Sequence, residues 1–187
     1  MRRLVCAALS LALVLALATT AGAAELAGAV YDDRVTIGDR TLVLNGTGIR
    51  SKFFIKVYAA GLYLPARQSD AGRILAADQP RRTVLHFLYD VDRQKMCDAW
   101  DDALAGNTPR ASAQLKEKFT TLCSAMDDVA DGDRMVFTYL PGTGTTVEVA
   151  GRNKGTIPGK DFADALWAAW IGPKPATKDL RAGLLGG

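Results

Sequence analysis

The chain has 187 residues, of which 49% are hydrophobic and 23% charged, and its formal net charge is +3. This length and composition are typical of one globular domain that buries its own core. The small net charge, with no strongly basic lobe, argues against a nucleic-acid-binding protein. A single histidine and three cysteines are too few to assemble a His/Cys metal cluster, and we expect neither a metal nor another cofactor.

The first 23 residues have the pattern of a secretory signal peptide. A pair of arginines precedes an apolar run over residues 4–18, and residues 21–23 form a small-x-small cleavage site. A transmembrane anchor is the alternative, but the apolar run ends early and no basic cluster follows it. We therefore expect cleavage after residue 23 or residue 24, a domain over residues 24–187 without a membrane span, and export to the periplasm.

The segment from Leu42 to Leu64 is the most informative stretch of the domain. It contains two runs rich in β-branched and aromatic residues, which flank the sequence Asn-Gly-Thr-Gly at residues 45–48. Such runs predict strands, and the residues between them predict a turn. The second run, Phe53–Leu64, carries only one charge, and we expect it to be buried on at least one face.

The remaining sequence alternates strand and helix patterns without a linker or an internal repeat. Polar capping residues and apolar periodicity mark the helices, and turn residues separate the strands. The pattern predicts an α+β domain, an antiparallel sheet with helices packed on one face. The predicted strands are Val30–Ile37, Thr41–Leu44, Thr83–Tyr89, Met135–Leu140, Thr145–Val149 and a short one ending at Ile157, and the predicted helices start near Asp70, at Asp90 or Asp92, at Ser112, at Lys160 and at Asp179.

Arg50 is the candidate binding residue that stands out in the central segment. It lies at the joint of the two runs, beside a mostly apolar surface. A buried guanidinium needs a carboxylate, other acceptors or an anionic ligand, whereas a solvated arginine at a strand end needs nothing. Tyr58 follows on the next strand, where its phenol would reach the same anion. Helices layered on a sheet can leave an apolar cleft for the rest of such a ligand.

Cys97 and Cys123 both fall on predicted helices. Export would place them in an oxidising compartment, where a disulfide between the helices is one outcome and two free buried thiols are the other. A catalytic thiol is disfavoured, because nothing places the single histidine, His86, beside either sulfur. His86 itself lies in a predicted strand, and we expect it on a solvated or half-buried face rather than in a ligand site.

The sequence GTGIRSKFFIKVYAAGLYLP, residues 46–65, resembles the first core strands of the chalcone isomerase-like family. That family includes plant chalcone isomerases, plant plastid fatty-acid-binding proteins and a bacterial secreted branch. Residues 85–92, 139–145, 155–162 and 170–175 resemble the bacterial branch, so the resemblance extends over about Val30 to Leu185. It implies the chalcone isomerase-like open-faced β-sandwich.

The resemblance also implies roles for particular residues. In the enzyme, the arginine of a Gly-x-Gly-x-Arg segment stabilises the attacking oxyanion, and in the fatty-acid binders it holds the ligand carboxylate together with a tyrosine. Arg50 matches this arginine and Tyr58 matches the binder's tyrosine, where the plant enzyme has threonine. Thr156, one position from the enzyme's threonine, is a third ligand-binding candidate. The enzyme's catalytic tyrosine and asparagine have no match in residues 92–100.

Three functions follow from these observations. The first is a non-catalytic periplasmic binding protein for a fatty acid or a similar small hydrophobic carboxylate, held by Arg50 and Tyr58. The second is an intramolecular lyase of the chalcone isomerase type, with Arg50 as its one recognisable catalytic residue. The third is a structural or partner-binding protein in which Arg50 pairs internally with Asp90, Asp92 or Glu148.

Overall fold

A computed structural model of the chain describes residues 22–187. The predicted signal peptide lies outside these residues except for its last two positions, so its removal and the export of the protein stay predictions. Within the described part of the chain, no helix combines the length and apolar character needed to cross a membrane.

The core of the fold is an antiparallel sheet of seven strands whose spatial order follows the chain order. A separate two-stranded hairpin precedes it. Each neighbour in the sheet is thus the next strand in sequence, as in a meander. The hairpin is β1 (Ala23–Leu26) and β2 (Ala29–Asp32); the sheet is β3 (Arg34–Ile37), β4 (Arg40–Lys52), β5 (Ile55–Leu64), β6 (Arg81–Phe87), β7 (Arg134–Leu140), β8 (Gly144–Val149) and β9 (Arg152–Ile157).

Five helices are formed by the described residues: α1 (Ala71–Ala76), α2 (Arg93–Asn107), α3 (Ala113–Ala125), α4 (Lys160–Ile171) and α5 (Lys178–Leu184). Four of them begin at a polar cap whose side chain accepts a backbone N–H three residues later, namely Asp70, Asp92, Ser112 and Thr177. Such caps satisfy backbone donors that the first helical turn leaves free. The predicted α+β class, with helices on one face of an antiparallel sheet, is confirmed.

The two faces of the sheet are covered differently. Alternate strand residues such as Leu62 and Phe137 pack against the helices and form the main core. Among these helices, α4 is the most buried. The opposite face carries a smaller cluster beneath the β1–β2 hairpin. There the ring of Tyr31 packs directly over Gly61, where a Cβ would lie 2.5 Å from the ring. This close approach explains the glycine in an otherwise bulky strand.

The turn predicted at residues 45–48 is wrong. Strand β4 continues without a break from Arg40 to Lys52, and the chain reverses at Phe53 and Phe54 instead. Only a shift of strand register between Leu44 and Gly46 marks the predicted site. The strand predicted over Val30–Ile37 is likewise two strands, β2 and β3, interrupted at Asp33.

The glycines of β4 serve helix packing rather than a turn. Gly46 and Gly48 lie on the helix-facing side of the strand, where α5 rests on them. A Cβ on Gly46 would collide with a carbonyl oxygen of α5, and one on Gly48 would lie 2.8 Å from the carbonyl oxygen of Leu180. Because residues two apart share a strand face, Arg50 points to the same side, just beyond α5. The two glycines thus bring the helix close and leave Arg50 at its edge.

Cys97 on α2 and Cys123 on α3 form a disulfide, with their Cα atoms 5.2 Å apart. Of the two outcomes open from the sequence, the helix–helix disulfide is therefore the one found. It joins the two helices over a separation of 26 residues. Cross-links of this kind restrict the unfolded chain and stabilise the folded one.

Candidate ligand-binding site

A cavity of about 560 Å³ opens between the sheet and the helices. Strands β4, β5 and β6 form its floor, and α2, α4 and residues 174–176 form its walls. Its volume lies within the range of small-molecule sites. The apolar lining includes Val57, Leu85, Phe87, Met96, Ala99, Trp100, Ala103 and Ala169. The cleft expected between the two layers is therefore present.

Arg50 and Tyr58 both line this cleft. They are direct partners across β4 and β5, and Tyr58 in turn is opposite Phe87 on β6. The guanidinium carbon of Arg50 lies 5.7 Å from the centroid of the Tyr58 ring, in a cation–π arrangement. Arg50 is half-buried, whereas Tyr58 is only 7% exposed. The structure thus brings together the two residues that the sequence singles out.

Within residues 22–187, Arg50 has no ion pair. The internal partners considered for it are engaged elsewhere. Asp90 accepts a backbone N–H from a neighbouring loop, and Asp92 caps α2. Glu148 lies beside Arg82 on the opposite face of the sheet. The internal pairing proposed for Arg50 with these three carboxylates is therefore wrong.

The hydroxyl of Tyr58 is set up as a hydrogen-bond donor. Its oxygen accepts the indole N–H of Trp170 on α4, at 3.1 Å. Burial raises the pKa of the Tyr58 phenol, and the nearby Arg50 and the Trp170 N–H counter this only in part. The phenol therefore keeps its proton at neutral pH. No acceptor for that proton is found among residues 22–187, which leaves it available to a ligand.

Trp100 contributes a second free donor at the cleft. It lines the cavity from α2 and packs edge-on against Trp170, with ring centroids 5.7 Å apart. Its indole N–H is buried and has no partner within residues 22–187. Apolar helix periodicity includes Trp100 and Trp170, but their indole N–H groups were not identified from the sequence as donors at the site. The signal was available, because a buried indole N–H normally has an acceptor.

Thr156 does not belong to this cleft. Its neighbour Ile157 packs in the main core, so Thr156 lies on the face turned away from the helices. There it is exposed, with its hydroxyl 3.0 Å from that of Thr146 on β8. The prediction of Thr156 as a ligand-binding residue is corrected accordingly. His86 also lies on the outer face, half-buried and outside the cleft, as expected.

The rim of the cleft carries charges of both signs. Apart from Arg50, three lysines and three aspartates line the cavity: Lys52, Lys95, Lys174, Asp90, Asp98 and Asp102. These charges balance formally and are mostly solvated, so each contributes little to the potential inside. Arg50 is then the uncompensated charge of the lining, and it favours an anion.

A second arginine on the helix-facing side of the sheet has a different environment. Arg81 on β6 is fully buried, and its guanidinium pairs with Asp164 of α4 and donates to the carbonyl oxygen of Ile74. The guanidinium also lies 5.1 Å from the ring centroid of Tyr139 and 5.0 Å from that of Trp167. Sequence reasoning did not identify this buried pair, whose members are 83 residues apart.

Among solved structures, a fatty-acid binding protein from Arabidopsis thaliana has a similar fold. The match has a TM-score of 0.67 at 20% sequence identity, and it covers 88% of this chain and 96% of the plant chain. At this identity the similarity establishes the fold. Comparison with curated proteins gives no sequence match.

The sequence profile described as chalcone isomerase-like matches residues 23–186, nearly the whole of the part that the structure describes. The match extends over the sheet, the five helices and both residues of the Arg50–Tyr58 pair. On this ground the chain belongs to the chalcone isomerase-like family.

Proposed function

We propose that this protein is a non-catalytic periplasmic binding protein for a fatty acid or a similar amphipathic carboxylate. One observation carries the proposal: the half-buried Arg50 has no carboxylate partner among the described residues and lies beside Tyr58, whose hydroxyl has no acceptor among them. A guanidinium and a phenol side by side match the two oxygens of a carboxylate. The similar fold of a plant protein described as fatty-acid binding supports the same ligand class.

The head group would be bound where the strands β4 and β5 meet. Arg50 would donate two parallel N–H bonds to the carboxylate, and the Tyr58 hydroxyl would donate a third bond. Because Tyr58 already accepts from Trp170, its own O–H is polarised and becomes a better donor. Charge-assisted hydrogen bonds in an apolar surrounding are the strong ones, so this end of the ligand would be fixed.

The hydrocarbon chain would lie between the sheet and α2. The apolar side chains that face each other there include Leu85 and Phe87 on β6 and Met96 on α2. Each methylene group removed from water contributes about 0.8 kcal/mol, so the chain supplies affinity and the head group supplies orientation. The flexible thioether of Met96 allows this wall to adapt to chains of different shape.

The same residues argue against the lyase. A proton-abstracting phenol needs a pKa near neutral, whereas burial raises that of Tyr58. The titratable α2 residues Lys95, Asp98 and Asp102 are exposed at the rim of the cleft. The apolar α2 residues of its inner wall, Met96, Ala99, Trp100 and Ala103, bring no general acid or base to it. An isomerase would need oriented polar groups at this position to stabilise the developing charge.

The direct test is native mass spectrometry of the protein purified from its own periplasm, followed by denaturing extraction. We expect a bound acid of defined mass, which is lost from Arg50→Met. Arg40→Met is the matched control, because Arg40 lies exposed at the other end of the same strand and should leave the bound acid in place. An empty protein that gains no thermal stability from added fatty acids would contradict the proposal.

The periplasmic location has its own readout. The intact mass of the protein from the periplasmic fraction should correspond to a chain without residues 1–23 or without residues 1–24. A full-length chain in the cytosol would overturn the export prediction and would leave the ligand proposal to be judged by the bound acid alone.

A further inference from the structure

The turn between β4 and β5 projects two aromatic side chains into solvent. Phe53 is 88% exposed and Phe54 is 102% exposed, and the adjacent Ile55 is 45% exposed. We call Phe53 and Phe54 the Phe tip. Large apolar side chains on a protruding turn bury nothing in the folded chain, so they contribute nothing to its core.

The backbone of the Phe tip is strained as well. Phe53 has a φ of 56°, in the left-handed region that bulky residues rarely adopt. Tight hairpin turns normally place glycine, asparagine or aspartate at such positions. Local backbone chemistry therefore does not account for a phenylalanine there, and a rule broken at an exposed site is a mark of function.

Basic residues flank the Phe tip on both sides. Lys52 precedes it and Lys56 follows Ile55, and both are exposed. Neither forms an ion pair with any of residues 22–187. Apolar rings flanked by lysines suit a membrane interface, where phenylalanine is buried at the boundary of headgroups and acyl chains and the cations meet anionic lipid.

We propose that the Phe tip docks on a lipid bilayer that contains anionic phospholipid. A protein partner is the poorer fit, because a stable interface needs about 800 Å² from each side and the tip is a small convex point. A fluid bilayer accepts such a point without a complementary groove. The two lysines supply the charge complementarity that selects an anionic surface over a neutral one.

The position of the Phe tip relative to the cleft gives docking a consequence. Lys52, Phe53 and Ile55 line the mouth of the cavity, whereas Phe54 does not. Docking through the tip would therefore hold the mouth of the cleft at the membrane interface, where an amphipathic ligand enters or leaves. This use of docking rests on the proposed function, while docking itself does not.

The test is flotation of the ligand-free protein with phosphatidylcholine vesicles that contain or lack phosphatidylglycerol. We expect flotation with the anionic vesicles at low salt and its loss at high salt. Phe54→Ser should lower the partition coefficient by about tenfold or more, because the burial of one ring is lost. Lys52→Ala should lower it by about fivefold.

Two further variants separate docking from folding. Val30→Ser is the matched control, since Val30 is 56% exposed on β2, away from the turn, and should leave flotation unchanged. Phe53→Gly should relieve the backbone strain, so it should keep or raise the melting temperature while it lowers flotation. A loss of flotation without a loss of stability cannot come from misfolding.

Three results would overturn the proposal. The first is failure of the wild-type protein to float with anionic vesicles at low salt, and the second is flotation of Phe54→Ser equal to that of the wild type. The third is a dimer, seen by sedimentation equilibrium, that Phe54→Ser dissociates; this result would assign the tip to a second copy of the chain. The affinity of Phe54→Ser for fatty acid, measured without vesicles, should equal that of the wild type. A wild type that floats but binds no fatty acid would contradict the proposed function and leave the docking proposal intact.

Discussion

Arg50 and Arg81 occupy similar positions in the sheet but have opposite surroundings. Each lies directly across from a tyrosine on the adjacent strand, and each guanidinium packs against that tyrosine's ring, at Tyr58 for Arg50 and Tyr139 for Arg81. Each pair also contacts a tryptophan of α4. The two sites are thus built from the same three kinds of side chain.

The difference lies in the carboxylates. At the Arg81 site the protein supplies two, because Asp164 pairs with the guanidinium and Asp78 accepts the Tyr139 hydroxyl at 2.6 Å. At the Arg50 site the described chain supplies none. The Arg81 site shows which partners such an arginine–tyrosine pair takes when the protein provides them. The Arg50 site offers the same donors to a partner from outside.

The largest expected effect is a loss of stability when the Arg81 site is changed. Arg81→Met removes the cation of a buried pair, and Lys160 remains as the partner of Asp164. We expect a loss of about 3 kcal/mol in the free energy of unfolding, at the lower end of the values for broken buried pairs. Urea unfolding measures it. A loss below about 1 kcal/mol would mean that the pair has no structural weight.

Arg50→Met should have little effect on stability and a large effect on ligand binding. The ligand-free protein should change by less than about 1 kcal/mol in unfolding free energy, because no internal pair is broken. Fatty-acid affinity should fall by about 2–3 kcal/mol, the value of hydrogen bonds to a charged group. Calorimetric titration with a long-chain fatty acid gives the second quantity. Equal affinity in the variant would remove the argument from Arg50.

The tyrosines provide a finer comparison. Tyr58→Phe should weaken fatty-acid binding by about 1–1.5 kcal/mol, since one donor to the carboxylate is lost. It should also cost stability, because the Trp170 N–H loses its acceptor. Tyr139→Phe makes the same chemical change at the Arg81 site and should leave the affinity for fatty acid unaltered. If both variants bound equally weakly, the effect would come from the fold and not from the cleft.

The smallest effect is a dependence of stability on alkaline pH. Burial and the Asp78 carboxylate raise the pKa of Tyr139 to about 12, and burial raises that of Tyr58. The folded state therefore holds these protons more tightly than the unfolded state. Its stability should be unchanged up to about pH 10 and should decline as the pH rises toward 12. Tyr139→Phe should reduce the decline, which thermal unfolding over this pH range would follow.

The sequence predicted what depends on short-range patterns. Strand and helix periodicity identified most elements, and the capping role of Ser112 followed from its residue type. The turn was wrongly predicted at residues 45–48, because Gly46 and Gly48 are needed for the close packing of α5, which lies far along the chain. From sequence alone, two nearby glycines are as typical of a turn as of a strand that a helix packs against closely.

The candidate site was predictable only in part for the same reason. Arg50 and Tyr58 are eight residues apart and on paired strands, so both could be identified together. The hydrogen bond from Trp170 to Tyr58 spans 112 residues and left no local signal. Thr156 was included through the resemblance, although it lies one position from the enzyme's threonine, and strand alternation puts that position on the face turned away from the cleft.

The central claim is that Arg50 has no carboxylate partner among residues 22–187 because it binds the carboxylate of a ligand. Titration of the protein with a long-chain fatty acid and with the alcohol of the same chain length tests this most directly. We predict that the wild type prefers the acid by about 30-fold, corresponding to about 2 kcal/mol, and that Arg50→Met binds both alike. A wild type without preference, or an Arg50→Met variant that keeps the preference, would contradict the account.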